Sequence, residues 1–507
     1  MTASRLPALG LCLVLASISL WPAAATSAED ANAPPASTFL PSEKTPLVAL
    51  RFVVRAGSQD DPRGKEGLAA LTASMVAEGG SRGLTYEQIL ARFYPMAASL
   101  AGSSRKEVSV FSGEVHRDNL AAYEKLVTEM LTAPRFAPED FERLRNEATD
   151  YVSKTLRGAN DEELGKWTLQ VVLYRDHPYG HVDRGSVQGL KAITLEDVKA
   201  FHKAHYTRGA IQIGIAGGAD KPFLGRVEGD LAPLSPGVAA PPELPKPEAP
   251  HGLDVTIVEK PADSTAISLG FPIDLNRRDD DFYALAVANS YLGEHRTFNG
   301  KLMQDLRGKR GLNYGDYSYI EDFMQEGASA FPVPNNPRRQ QYFSIWVRPV
   351  PADKSVFALR GALWELDRLI EHGMNAADFE ATRSFLLNYS KLWVQTLSRR
   401  LGYEMDGAFY DRDDLVTELA ERLPKMTVDQ VNAAVRRHLK SPGYKVAIVA
   451  KDAAALRDSL VAGKPTPLTY DTEGTPEDVL AEDKVIARFP LAGVKVKIIP
   501  VDQMFEK

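Results

Sequence analysis

The order of hydrophobic patterns in the first half of the chain returns in the second half. By alternation and helical spacing, the first half contains a strand and two helices, at residues 108–115, 119–131 and 137–145. The second half contains the same three elements, at residues 342–350, 355–370 and 375–383. A helix followed by a strand then occurs at residues 194–206 and 211–216, and again at residues 427–439 and 445–449.

This repeat keeps a nearly constant offset. Phe141 corresponds to Phe379, and His205 corresponds to His438. A constant offset indicates an internal duplication. We therefore predict an α+β fold with two homologous domains, each a mixed or largely antiparallel sheet with helices packed on one face.

A proline-rich segment separates the two halves. Seven prolines stand from Pro233 to Pro250 among Ala, Glu and Lys, a composition that favours an extended, semi-rigid spacer. The segment before the first strand is rich in Ala and Pro. The predicted organisation is a flexible lead-in at residues 29–44, a first domain at 45–232, a linker at 233–252, a second domain at 253–462 and a C-terminal tail at 463–507.

The N-terminus has the features of an export signal, predicted at residues 1–28. Arg5 precedes an apolar run at residues 6–21, and small residues allow cleavage after Ala25 or Ala28. The run is short for a membrane span, so we expect cleavage and no membrane span in the mature chain. Cys12 is the only cysteine, so a cleaved chain would form no disulfides.

The composition describes a globular protein of more than one domain. Of 507 residues, 44% are hydrophobic and 25% are charged, which is the balance of an ordinary folded chain. The net charge is −7, and the sequence contains no basic helix or aromatic-basic alternation. Binding to nucleic acid is therefore not expected.

One helix carries a pattern from which metal ligands are missing. Residues 67–75 have helical spacing after the apolar run at 47–55 and a turn. This setting resembles the zinc helix of the insulinase/pitrilysin metallopeptidases, whose H-x-x-E-H motif falls on Ala70, Ala73 and Ser74. Methyl groups cannot bind a metal, and a serine hydroxyl is a poor zinc ligand. The alternative is an ordinary Ala-rich amphipathic helix.

Further motifs follow in the order that the family shows. Residues 177–180 read His-Pro-Tyr-Gly, residues 193–206 match I-T-x-E-D-x-x-x-F-x-x-x-x-Y, and residues 306–314 match L-R-x-x-x-x-L-x-Y. The family's third zinc ligand, a glutamate, falls near Asp150 and Tyr151, with Glu147 close by. In the loop that is glycine-rich in some members, residues 292–300 contain only two glycines.

Two histidine pairs have spacings that also occur in metal sites. His177 and His181 form an H-x₃-H pair, and His202 and His205 form an H-x₂-H pair. Pro178 interrupts the first pair, and no acidic or thiol ligand has a suitable spacing beside either pair. We favour structural roles, in a turn and near a helix end.

The resemblance assigns a role to Arg307 and Tyr314. In the insulinase family the matching arginine and tyrosine face the zinc across a chamber between clamshell domains. There they donate hydrogen bonds to the substrate carbonyl and to the developing oxyanion. The alternative is that Arg307 belongs to a solvated basic cluster and that Tyr314 is a core residue in a strand at residues 312–320.

The family also occurs as pairs of half-length chains, and the resemblance implies that this chain is the non-catalytic subunit of such a pair. It would bind no metal itself, and Zn²⁺ would lie on a sister subunit with an intact H-x-x-E-H motif. The pair would be a periplasmic endopeptidase that cleaves peptides or unfolded segments. Two alternatives remain: an autonomous enzyme with another site, and an inactive peptide-binding or scaffold module.

Overall fold

The computed structural model describes residues 36–325, 327, 329–470 and 474–507. The predicted signal peptide, residues 1–28, lies outside the described residues. Among the helices in the described part of the chain, none is long and apolar enough to cross a membrane.

The first sheet has five strands over the described residues, in the order β1-β5-β2-β4-β3. They are β1 (Thr38–Pro41), β2 (Leu47–Val54), β3 (Ala101–Ser104), β4 (Ser109–His116) and β5 (Ile211–Gly217). All neighbours are antiparallel except β1 and β5. The accompanying helices are α1 (Leu68–Glu78), α2 (Tyr86–Phe93), α3 (Leu120–Thr132), α4 (Pro138–Asp150), α5 (Asp161–Leu173), α6 (Val187–Ala192), α7 (Leu195–His205) and α8 (Lys221–Asp230).

The second sheet has six strands in the same described part of the chain, in the order β11-β6-β10-β7-β9-β8. They are β6 (Gly252–Glu259), β7 (Thr265–Ile273), β8 (Asp316–Tyr319), β9 (Gln341–Val350), β10 (Gly443–Ala450) and β11 (Lys495–Pro500). The accompanying helices are α9 (Asp280–Gly293), α10 (Ser355–His372), α11 (Ala376–Tyr389), α12 (Leu397–Tyr410), α13 (Leu415–Arg422), α14 (Val428–His438), α15 (Ala453–Ala462) and α16 (Glu477–Ile486). The predicted α+β class with mixed sheets is confirmed.

One helix of each half packs on the sheet of the other half. Helix α5 of the first half packs on β7 and β10 of the second sheet, and α12 of the second half packs on β2 and β5 of the first. Strand β2 is therefore buried on both faces from Val48 onward, which explains a hydrophobic sequence that only Arg51 interrupts; its guanidinium donates to Ser398 of α12 at 2.8 Å. A Cβ at Gly214 of β5 would lie 2.3 Å from the Met405 sulfur of α12, so a larger residue there would displace the Met405 side chain.

Both ends of the predicted domain organisation need correction. Thr38–Pro41, placed in a flexible lead-in at residues 29–44, form β1 because they pair with the open edge of β5. The tail at residues 463–507, placed outside the repeat, contributes β11, which pairs in parallel with β6 of the second sheet. In both cases backbone hydrogen bonds to a distant strand determine the structure, and a local hydrophobic pattern does not report them.

Candidate functional site

Helix α1 contains Ala70, Ala73 and Ser74, the positions at which the sequence resemblance places the metal motif, and a buried carboxylate fixes the start of the helix. The Asp61 carboxylate accepts hydrogen bonds from the backbone N–H groups of Gly67 and Ala69, both at 2.7 Å. These are donors that the first turn of a helix leaves without partners. Burial raises the pKa of Asp61 well above its usual value, although both hydrogen bonds lower it.

One face of α1 lines a cavity of about 400 Å³. Ala70, Ser74 and Glu78, spaced four residues apart, contribute to its wall. Ala73 is not among the lining residues: it is fully buried beside β3, where a Cβ at Gly102 would lie 3.2 Å from its carbonyl oxygen. The structure thus brings two of the three motif positions into the cavity.

The other walls come from both halves of the chain. Of the positions considered for a third ligand, Glu147 of α4 and Tyr151 line the cavity, whereas Asp150 does not. Trp167 of α5 and Trp346 of β9 supply aromatic surface. The Lys166 ammonium lies 3.7 Å from the centre of the Trp346 ring, a cation–π contact.

These residues do not fit zinc. Ala70 has no donor atom, and the carboxylates that line the cavity are those of Glu78, Glu147, Glu163, Asp183 and Asp322. Burial and then the nearby Glu147 carboxylate raise the pKa of Glu78, with Arg143 acting in the opposite direction. Within the described residues, no group of three or more His, Cys, Asp or Glu side chains is placed to hold a metal ion.

A network of buried charges beside the cavity joins the two halves, and sequence reasoning missed it. Arg338 pairs with Asp322 at 2.6 Å and donates to Gln170 of α5 at 3.0 Å. Lys106 pairs with Asp183 at 2.8 Å. Asp183, Gln170 and Asp322 all line the cavity. The partners are far apart in the sequence, so no spacing reveals them.

Arg307 and Tyr314 do not line this cavity. Arg307 lies in a π-helical turn, Met303–Gly308, with its guanidinium 5.1 Å from the centre of the Phe298 ring. Tyr314 is 77% exposed, so the alternative of a core tyrosine is wrong. The strand predicted at residues 312–320 is also shorter, because a turn occupies 312–315 and only Asp316–Tyr319 pair with β9.

The histidine pairs make structural contacts. His177 Nδ1 accepts the backbone N–H of Tyr179 at 2.9 Å, and His202 Nε2 lies 2.9 Å from the carbonyl oxygen of Leu131. Burial lowers the pKa of His177 to about 4 and that of His181 to about 3. These imidazoles are therefore neutral parts of the packing at neutral pH.

Comparison with known proteins agrees with this fold. Residues 38–171 match the family model "Insulinase (Peptidase family M16)", and residues 192–386 match "Peptidase M16 inactive domain". Together the two matches cover more than half of the chain. The chain therefore belongs to the insulinase family of metallopeptidases, peptidase family M16.

Bacterial relatives and solved structures share the same architecture. The chain is 23% identical over 366 residues to an uncharacterized zinc protease of Mycobacterium tuberculosis, covering 70% of this chain and 77% of that one. It is 26% identical over 373 residues to one of Streptomyces coelicolor, covering 69% and 74%. A peptidase M16 inactive domain from Pseudomonas fluorescens superimposes with a TM-score of 0.71 at 23% identity, covering 83% of this chain and 97% of that one. A Helicobacter pylori protease gives a TM-score of 0.70 at 15% identity, covering 81% and 95%; both structures support the fold.

Proposed function

We propose that this chain is the non-catalytic, substrate-binding subunit of a heterodimeric zinc metalloendopeptidase. The observation that carries the proposal is the state of α1. Helix α1 is present in an insulinase-family fold, and Asp61 caps its start. Ala70 and Ser74, however, line the cavity at the positions where the family has ligands. A chain of this kind needs its metal from elsewhere to take part in peptide hydrolysis.

The proposed partner is a sister chain with an intact H-x-x-E-H motif, which would supply the zinc and the general base. This chain would supply Arg307 and Tyr314 to the partner's site. Tyr314 is 77% exposed, which supports this role, because a donor that serves another chain has to be accessible. There the two side chains would donate hydrogen bonds to the substrate carbonyl and the developing oxyanion.

The proposed substrates are peptides or unfolded segments of polypeptide, met in the periplasm after export. Strand β3 is an edge strand of the first sheet, and Gly102, Ser103 and Ser104 line the cavity. An edge strand has backbone groups available for pairing with an extended chain. This arrangement supports binding of a peptide in an extended conformation.

Co-expression with the sister chain, followed by an assay of peptide hydrolysis, tests the proposal. Tyr314→Phe should lower kcat of the assembled pair on the order of 10²-fold, about 3 kcal/mol of transition-state stabilisation. Arg307→Ala should act in the same direction and also raise KM. The matched control is Tyr94→Phe, since Tyr94 is 87% exposed and lies far from Tyr314 in the sequence. A kcat for Tyr314→Phe within about twofold of the parent would contradict the proposed role.

A second candidate is an inactive peptide-binding or scaffold module. The observation in its favour is that Arg307 and Tyr314 are not part of the cavity beside α1. Trp167 and Trp346 in the cavity wall provide a fluorescence signal for peptide binding. Two results together would favour this module. The chain would bind peptides without hydrolysing them, and it would form no pair with an H-x-x-E-H protein encoded beside it.

A further inference from the structure

The turn that presents Tyr314 is held by the side chain of Asn313. Asn313 Nδ2 donates to Asp316 Oδ1 at 2.7 Å and to the Arg348 carbonyl oxygen at 2.9 Å. Asn313 Oδ1 accepts the backbone N–H of Gly315 at 3.0 Å. These hydrogen bonds tie the residues on either side of Tyr314 to each other and to β9.

The base of this turn is buried although Tyr314 itself is exposed. Asp316 is fully buried, and Oδ2 of its carboxyl group has no hydrogen-bond partner. Gly315 has a φ of 151°, and a Cβ there would clash with the Tyr317 side chain. The backbone on the C-terminal side of Tyr314 is thus confined by packing, while the phenol extends into solvent.

Contacts continue from this turn to the first half of the chain. Arg348, whose carbonyl accepts from Asn313, forms an ion pair between its Nε and Oε2 of Glu162 at 3.1 Å. Glu162 belongs to α5, the helix that crosses to the second sheet. Its carboxylate also pairs with Lys166 Nζ at 2.9 Å, and Lys166 lines the cavity beside α1. A continuous series of polar contacts therefore joins that cavity to the Tyr314 turn.

We propose that Asn313 is a positioning residue for Tyr314, and that Glu162 fixes the same turn from the first half of the chain through Arg348. The inference rests on the proposed function, since it concerns how the phenol is aimed at a site on the sister chain. The rotamers open to a side chain depend on its backbone conformation, so a fixed backbone narrows the directions in which an exposed phenol can point. Asn313 provides that constraint at the two residues that flank the tyrosine.

Kinetics of the assembled pair test the positioning role. Asn313→Ala should lower kcat by about tenfold with KM within about twofold, because a misplaced donor weakens the transition state more than the ground state. Glu162→Gln should act in the same direction with a smaller effect. The control is Asn388→Ala, at an exposed site of α11 whose side chain donates to the Ser384 carbonyl and accepts from Lys391, and it should leave kcat unchanged.

A double-mutant cycle separates positioning from general destabilisation. If Asn313 acts through Tyr314, the pair carrying both Asn313→Ala and Tyr314→Phe should have a kcat within about twofold of Tyr314→Phe alone. Multiplicative losses would overturn the inference, as would an unchanged kcat for Asn313→Ala beside a lowered kcat for Tyr314→Phe. If Tyr314→Phe is itself without effect, the proposed function fails instead. Size-exclusion chromatography and melting curves of each pair show whether a lost activity reflects lost assembly or unfolding, and a loss explained that way also counts against positioning.

Discussion

Replacing Asp322 with alanine tests whether buried charges hold the two halves of the chain together. Asp322 and Arg338 lie 2.6 Å apart with side chains 2% and 0% exposed. Asp322→Ala leaves the Arg338 guanidinium buried with the Gln170 amide as a remaining partner, and breaking one side of a buried pair costs about 3–5 kcal/mol. Tyr342 also loses its 2.8 Å acceptor, which adds about 1 kcal/mol. We expect a total loss of about 4–6 kcal/mol in the free energy of unfolding.

Urea unfolding of the purified chain, followed by tryptophan fluorescence, measures this loss. Asp263→Ala is the control, because Asp263 is exposed, and it should change the unfolding free energy by less than about 0.5 kcal/mol. Replacing both partners, with Asp322→Leu and Arg338→Met together, should cost less than Asp322→Ala alone, since no unpaired charge remains. A loss below about 1 kcal/mol for Asp322→Ala would show that water reaches the pair and would refute the reasoning.

Three further predictions concern the metal, the partner and pH. The dialysed chain should contain only substoichiometric zinc, whereas the double variant Ala70→His with Ser74→His should take up about one zinc beside Glu147. Elemental analysis of the zinc content per chain tests both expectations. When this chain is co-expressed with its sister chain, the two should elute together as a heterodimer in size-exclusion chromatography, because we expect an interface of more than roughly 1,000 Å². Separate monomer peaks would count against pairing. Burial raises the pKa of Asp316 to about 8, so its contribution to stability is lost as pH rises from about 4 to about 8. The melting temperature of Asp316→Asn should therefore rise relative to the parent chain over that range, and a constant difference would contradict this.

The internal repeat could be predicted from the sequence because hydrophobic periodicity is a local property. The predicted strand at residues 342–350 corresponds to β9, Gln341–Val350, and the helix at 355–370 to α10, Ser355–His372. Strand β1 was not predicted, because it exists only through pairing with β5, more than 170 residues away. Edge pairing of this kind leaves no pattern in the short segment itself.

The candidate site shows the same limit. Helical spacing placed Ala70 and Ser74 on one face of a helix, and both line the cavity. It also grouped Ala73 with them, but the approach of β3 encloses that residue. Whether a residue at the border of a helix face is buried or lines a cavity depends on the element packed beside it. Helical spacing carries no information about that element. The exposure of Tyr314 followed from the hydrogen bonds of Asn313, which replace the first residues of the predicted strand by a turn.

The structure explains how this fold persists without metal ligands. Leu68, Met75 and Val76 of α1 are buried in the core of the first half, and Asp61 caps the helix with two backbone hydrogen bonds. The positions of the missing ligands at Ala70 and Ser74 face the cavity and contribute little to that core. Burial of apolar surface and capping stabilise α1 whether or not a metal is bound. Apolar burial and capping therefore keep this half folded with Ala70 and Ser74 at these positions, as the proposed role of Arg307 and Tyr314 at a metal site on another chain requires.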